Sequence, residues 1–343
     1  VKSIVAKIWS EAFKNLTQHR QGLWSLRAFL GLIALSLFLP LIANHNPLLI
    51  RYRGAFFFPM IMNYSEQDVG GSSPILANFQ EKAIQKTIQK EGWILWPLIP
   101  CGPQTVDYAL QSSGPQKPSF QHWLGTDEQG RDLLARILYA LRFSLFFGFA
   151  VAFFSSVIGI LIGAFQGYKG GIEDIIIQRI IEIWFSIPIL FFVMLIISVV
   201  SPTILVLFGA LVFIKWRTLV PMVRILFLRA RTLPHVEAAR MMGHRTSYIV
   251  LHYIIPTVIF LPLSRFPFMM VSSISILTSL DFFGFSLPES ALSLGGILVQ
   301  GKNHLYAPWI VFGSMGALML LLLVLVFLGE ALQKIFITNR LEA

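Results

Sequence analysis

Long apolar runs broken by short polar and basic stretches dominate the chain, and their lengths set the first expectation. A helix needs about 20 apolar residues to cross the hydrocarbon core of a bilayer. About six runs reach or approach that length: Leu23 to Ala43, Ser144 to Phe165, Ile175 to Val200, Thr203 to Val220, Ile254 to Leu280 and Trp309 to Gly329. The pattern predicts a membrane protein built from helices. Pro188, Pro262 and Pro267 interrupt these runs, and neighbouring helices can re-satisfy the backbone groups that such breaks free. The first run is longer than the apolar core of a signal peptide, and Leu41-Ile-Ala-Asn44 offers no A-x-A cleavage site, so it reads as a retained anchor.

One internal stretch departs from this pattern. Thr232 to Pro256 is polar and basic and has helical punctuation. Thr232 is expected to cap a first short helix, with Pro234 in its first turn and Gly243 in the left-handed conformation that ends it. Thr246 is expected to cap a second helix. Between these signals stand Glu237, Ala238 and Ala239, where small side chains let another surface approach the backbone. Met241 and Met242 follow, and they adapt to irregular pockets. The hairpin has the build of a docking knob.

Three segments follow: 1–43, expected to hold the cytoplasmic N-terminus and first span; 44–143, a long insertion expected to be periplasmic; and 144–343, five spans with the hairpin at 232–256. In the insertion, Arg51 to Pro59 reads as a short strand and Gln80 to Glu91 as a helix. Cys101 is the single cysteine of the chain, which excludes an intrachain disulfide. The insertion is therefore expected to be held by packing on the membrane domain or on a partner.

Composition agrees with the membrane reading: 55% of the 343 residues are hydrophobic and 13% charged, against about 25% charged in soluble domains. Lys2, Lys7, Lys14 and Arg20 precede the first span and Arg27 lies near its start, opposed by Glu11, which predicts a cytoplasmic N-terminus. An even number of spans returns the C-terminus to that side. It also places Arg217 to Arg245 inside, where six arginines agree with it. The net charge of +10 gathers beside membrane ends without interleaved stacking aromatics, which favours anionic headgroups over nucleic acid.

The search for chemistry is largely negative. Gly296 to Asn303 imitates a phosphate loop, but Asn303 replaces the hydroxyl residue that would hold magnesium, and no strand precedes it; it reads as an extracytoplasmic loop. His235, His244 and His252 lack carboxylate or cysteine company, so no metal is expected. Ser186, Ser264 and Ser272 have no base beside them, and the chain does not read as an enzyme. Arg179 and Glu182 stand three apart and are expected to pair, facing the bundle interior; with Pro188 they are candidates for a gate. Lys215 and Arg217 are expected to snorkel from a helix end.

At this point the hairpin's spacing can be compared with known families. Glu237-Ala-Ala239, Gly243 and Pro256 resemble the coupling loop of ABC importer permeases, E-A-A-x3-G-x9-I-x-L-P, with Tyr253 and Ile255 as departures. Trp123-Leu-Gly-Thr-Asp-Glu-Gln-Gly-Arg-Asp132 is similar to the W-L-G-T-D-x-x-G-R-D signature of the dipeptide, oligopeptide and nickel permease family, which singles out Gly125, Thr126, Asp127, Gly130, Arg131 and Asp132. Gly167-Tyr-Lys-Gly-Gly171, followed by Arg179, Glu182 and Pro188, also follows that family. Pro47 to Arg53, Asn63 to Gly71, Leu280 to Phe285 and Gln300 to Asn303 look like the Yej-type permeases associated with peptide and microcin C import.

The resemblance implies a mostly helical type I importer-permease fold in a bacterial inner membrane, with both termini cytoplasmic. It implies a sister permease, a cytoplasmic ATPase that binds ATP and magnesium, a periplasmic peptide-binding protein and a peptide substrate. No cofactor is expected in this chain. A dipeptide or nickel permease is the alternative. An ion-gradient-driven carrier is the rival class, and Glu182 is its lone candidate for a coupling carboxylate.

Overall fold

A computed structural model describes residues 20–71, 74–107, 114–200, 203–285 and 292–341, with side chains to 335. Lys2, Lys7, Glu11 and Lys14 lie outside the described residues, as does 286–291. Helix α1 (Arg20–Leu37) stops ahead of Pro40, whose nitrogen has no hydrogen to donate into the helix. A single turn, α2 (Leu39–Ile42), follows with Pro40 in its first turn. The expected span Leu23 to Ala43 is thus split in two.

The insertion builds its own core. Strands β1 (Leu49–Tyr52) and β2 (Ala55–Phe57) form a hairpin pairing Tyr52 with Ala55. Arg53 and Gly54 turn it, both at positive φ, 48° and 81°, the geometry that matches the twist of paired strands. Helix α3 (Lys82–Glu91) leads into β3 (Gly92–Leu95), which pairs antiparallel with β1, giving the order β2-β1-β3. Ile84 and Ile88, one helical turn apart, pack with Ile50, Tyr52, Val69 and Phe79. The insertion therefore does not depend wholly on packing against other parts, because an amphipathic helix covers one face of a small sheet.

The remaining elements are helical. Helix α4 (Leu133–Lys169) has 37 residues. Helices α5 (Gly171–Phe185) and α6 (Ile189–Val199) bend by 76° at the break before Pro188 and Ile189, so the expected third span is broken. The next span joins α7 (Ile204–Lys215), a 3-10 turn (Trp216–Thr218) and α8 (Val220–Ala230), and Thr203 Oγ1 caps it by accepting from the Val206 amide at 3.2 Å. The hairpin comprises α9 (Pro234–Met241), α10 (Thr246–Ile249), a π-turn (Val250–Ile254) and α11 (Ile255–Val258). Helices α12 (Phe260–Phe282), α13 (Leu294–Asn303) and α14 (Pro308–Leu341) complete the chain.

Among the described residues, four helices are long and apolar enough to cross a membrane, and the bent α5–α6 pair makes up to five. Helix α1, with 18 residues including Arg20 and Arg27, is not among them. The phosphate-loop look-alike Gly296 to Asn303 lies within α13 rather than in a loop, and Ser293 caps that helix. Two compact units emerge: 1–30, 144–291 and 319–343 form one, and 31–143 with 292–318 the other. The hairpin belongs to the first unit and the Trp123 to Asp132 motif to the second.

Candidate functional site

The hairpin's first helix is punctuated as its glycine and proline require. Pro234 occupies the first turn of α9. At the other end Gly243 takes φ 78°, donating from its amide to Arg240 O at 3.0 Å, while the His244 amide donates to Ala239 O at 3.3 Å. These two bonds make a Schellman stop, which satisfies carbonyls that the helix end would orphan. The threonine caps are not made. Residue Leu233 holds the N-cap of α9, and Thr232 Oγ1 donates to Arg229 O instead. Arg245 holds the N-cap of α10 and Thr246 is already helical. Because a proline prefers the first helical position, Pro234 fixes the start one residue later than the threonine signal suggests.

Burial divides α9 into two faces. Val236 and Ala239 are fully buried, whereas Glu237, Ala238, Met241 and Met242 are exposed, the methionines at 87% and 65%. An exposed methionine pair beside a small residue is an adaptable apolar surface. Beyond it, His244, Tyr248 and His252 stack in series with ring centroids 4.8 and 4.2 Å apart. The π-turn that follows shifts the helical register between the hairpin and α12, a feature that often marks functional sites.

The hairpin is tied to the end of α4 by charge and by missing side chains. Arg231 Nη1 donates to Tyr168 O at 3.2 Å and Lys169 O at 3.3 Å, satisfying last-turn carbonyls of α4. A Cβ on Gly170 would stand 2.5 Å from that nitrogen. Arg240 lies over the Tyr168 ring at 5.9 Å. Arg224 Nη2 donates to Asp174 Oδ2 at 2.6 Å, joining α8 to α5.

Under these ties runs a stripe that sequence reasoning missed. Gly159, Gly163 and Gly167 recur every fourth residue on one face of α4. Cβ atoms there would meet Trp216 O at 2.5 Å, Val223 Cβ at 2.8 Å and Arg224 O at 2.5 Å. The glycines let α8 and the turn before it approach α4 at backbone distance, the small-xxx-small mode of membrane helices. The G-x-x-x-G-x-x-x-G spacing was the available signal.

The broken third span has its own solution. Arg179 Nη1 donates to Glu182 Oε2 at 2.6 Å, so the expected pair forms, but it is exposed on this chain, at 74% and 45%, rather than turned to the interior. Pro188 begins the turn into α6. Arg217 donates to Ile187 O at 3.2 Å and stacks over Phe185 at 4.8 Å, occupying a carbonyl freed by the break. Lys215 donates to Ser273 Oγ at 3.1 Å and also to Ser272 Oγ. Both cations are buried and neither snorkels, because the bend and the serines of α12 supply acceptors inside the protein.

The Trp123 to Asp132 motif folds as a knot of saturated polar groups. Asp127 is fully buried; its Oδ1 accepts from the Gln129 and Arg131 amides, both at 2.9 Å, and its Oδ2 from Arg131 Nε at 2.8 Å and from Arg136. Thr126 Oγ1 accepts from the Gln116 amide at 2.9 Å. Gly125 and Gly130 take φ 76° and 75°. At Gly125 a Cβ would meet Gln116 O at 2.4 Å. Asp132 Oδ1 accepts from the Ala135 amide at 2.8 Å, capping the first turn of α4. Its Oδ2 lies 2.9 Å from His122 Nδ1, a partnership the sequence search did not find because ten residues separate them. The Asp132 and Asp107 carboxylates raise the His122 pKa, while burial and the same carboxylates push the Cys101 thiol up to about 12.

With the hairpin, its anchors and the motif in place, the comparisons converge. Residues 138–340 match the model of the binding-protein-dependent transport system inner membrane component family, and the chain belongs to that family. It is thus an ABC importer permease subunit with the type I permease fold, a multi-pass membrane protein and not an enzyme. It is 44% identical to the inner membrane ABC transporter permease protein YejE of Escherichia coli (strain K12), with 94% of each chain covered. It is 36% identical to the peptidoglycan transport system permease protein YejE of Agrobacterium fabrum over 94% of this chain and 91% of that one. The oligopeptide transport system permease protein OppC of Haemophilus influenzae is 34% identical over 67% of this chain and 74% of its own.

Proposed function

We propose that this chain is the membrane subunit of an ATP-driven peptide importer, coupled to a cytoplasmic ATPase through the exposed face of α9. One observation carries the coupling reading. Glu237, Ala238, Met241 and Met242 stand exposed on a helix stopped by a Schellman turn, at the spacing of the family's coupling loop. ATP binding closes the ATPases, their clefts draw α9 with them, and the anchored end of α4 follows. A sister permease completes the path, and a periplasmic binding protein delivers the cargo. The nucleotide and its magnesium belong to the ATPase. Linkage then requires that delivery on one side bias closure on the other.

The peptide reading rests on likeness to OppC and, across the insertion as well, to the Yej-type permeases; peptide antibiotics of the microcin C type fall in this class. Likeness to the peptidoglycan transport system permease of Agrobacterium fabrum favours a second reading, import of peptide-bearing cell-wall fragments. Uptake by membrane vesicles carrying the complete transporter tests both. ATP-dependent, proton-gradient-independent accumulation of tripeptides to hexapeptides supports the first reading, and accumulation of muropeptides alone supports the second. Nickel uptake without peptide uptake would overturn both. Gly243→Pro, whose φ of about −65° cannot replace the observed 78°, is expected to leave membrane insertion intact and abolish transport and stimulated ATP hydrolysis. Normal uptake by that variant would refute the coupling assignment.

A further inference from the structure

Around His122 the second unit assembles donors that the transport reading does not use, with Asp132 of the family motif among them. Ligand atoms of Cys101, His122 and Asp132 lie within 4.8 Å of one another, the one such group among the described residues. Asp107 Oδ2 lies 3.5 Å from His122 Nε2, the ring nitrogen opposite the one that faces Asp132. The side chains of His122 and Asp132 are 6% and 1% exposed, and that of Asp107 34%. All four line a cleft of ≈ 670 Å³ that also touches Lys82, Trp96 and Trp123. An ion therefore has a way in.

His122 and Asp132 are held in place by bonds that leave Nδ1 and Oδ2 facing each other. The His122 amide donates to Ser119 Oγ at 3.1 Å and its carbonyl accepts from the Gly125 amide at 2.9 Å, which fixes the ring's backbone. Asp132 is fixed by its helix-capping bond to Ala135, so its second oxygen is turned to the imidazole. We propose that Cys101, His122 through Nδ1 and Asp132 form a binding site for Zn²⁺ or a similarly thiophilic divalent cation, with Asp107 facing the far ring nitrogen as the carboxylate that orients the imidazole.

The donor set selects the ion. One sulfur, one imidazole and one carboxylate suit zinc, while magnesium and calcium favour oxygen alone. Zinc bonds of about 2.0 to 2.3 Å in a tetrahedron place donors about 3.5 Å apart, so side-chain rotations on the order of 1 Å close the site. On binding, the ion replaces the thiol proton of Cys101, which passes to solvent, and takes Nδ1 of an imidazole that carries its proton on Nε2, facing Asp107. The alternative counter-charge is Lys82 across the cleft, which would leave the cluster as a metal-free hydrogen-bonded bridge.

The single cysteine gives a direct readout on the full-length chain in detergent. After chelator stripping, Zn²⁺ is expected to slow alkylation of Cys101 at least about tenfold, since a coordinated thiolate is withheld from reaction, while Mg²⁺ has no effect. Added chelator should restore the rate. Bound zinc should be one per chain after gel filtration and should be lost in Cys101→Ser, which leaves the His122–Asp132 bond untouched. His122→Gln should weaken protection on the order of 10- to 100-fold in zinc concentration. Alkylation indifferent to Zn²⁺, or equal zinc in wild type and Cys101→Ser, would overturn the proposal, and so would full protection persisting in His122→Gln.

Discussion

Asp127 is the residue whose chemistry is most completely spent. Two amides and two arginines occupy its oxygens in a setting without solvent exposure, so it has no capacity left for a ligand. Asp127→Asn keeps the shape and removes the charge that Arg131 and Arg136 face. Breaking such a buried pair costs about 3–5 kcal/mol, and thermal unfolding of the purified chain should show it as a lower Tm. An unchanged Tm would mean that the motif is not a structural knot. The sequence marked this residue as a family signature but could not reveal its role, because satisfaction of an oxygen depends on what the chain folds around it. Gly243 was different. A glycine at the end of a short polar helix has a local reason to adopt positive φ, and it does. The threonines at 232 and 246 also gave local signals, which failed at Thr232 because Pro234 outranked it for the helix start.

At the scale of elements, packing between helices was less legible than the helices themselves. Apolar runs marked α4, α12 and α14 directly, whereas the third run concealed a break whose consequence lies in Arg217, thirty residues beyond Ile187. Contact between α4 and α8 makes a sharper prediction. A leucine at Gly163 must displace Val220 O and Val223, 2.9 and 2.8 Å from where its Cβ would be. Gly163→Leu should therefore separate the helices, lowering thermal stability and uptake together. Gly209, exposed in α7, has nothing within 4 Å of that position. Gly209→Ala should be neutral or stabilising by up to about 1 kcal/mol through helix propensity. The pair separates close approach from helix propensity, since both replace a helical glycine. Equal melting shifts in the two variants would remove the argument for the stripe.

For the whole molecule, the question is whether the exposed face of α9 meets a motor on the cytoplasmic side. The arginines from Arg217 to Arg245 suggested that side, but Arg217 is buried against Ile187 and Arg224 is engaged with Asp174, so only part of the cluster acts as a topological signal. Arg231 likewise has a structural task at the end of α4. With those removed, the cytoplasmic placement rests on the proposed function: exposed Met241 and Met242 beside Glu237-Ala-Ala239 and Gly243, whose spacing resembles a coupling loop. Met241→Cys in a Cys101→Ala background tests the arrangement without disturbing the buried positions Val236 and Ala239. A membrane-impermeant maleimide should label that cysteine in inside-out vesicles and leave it untouched in intact spheroplasts. With the ATPase present, labelling should fall and a short bifunctional reagent should join the two proteins, more so when ATP is bound. Labelling from the outer side would reverse the topology. Labelling from the inner side with no change on adding the ATPase would leave the membrane arrangement standing and take away the lever.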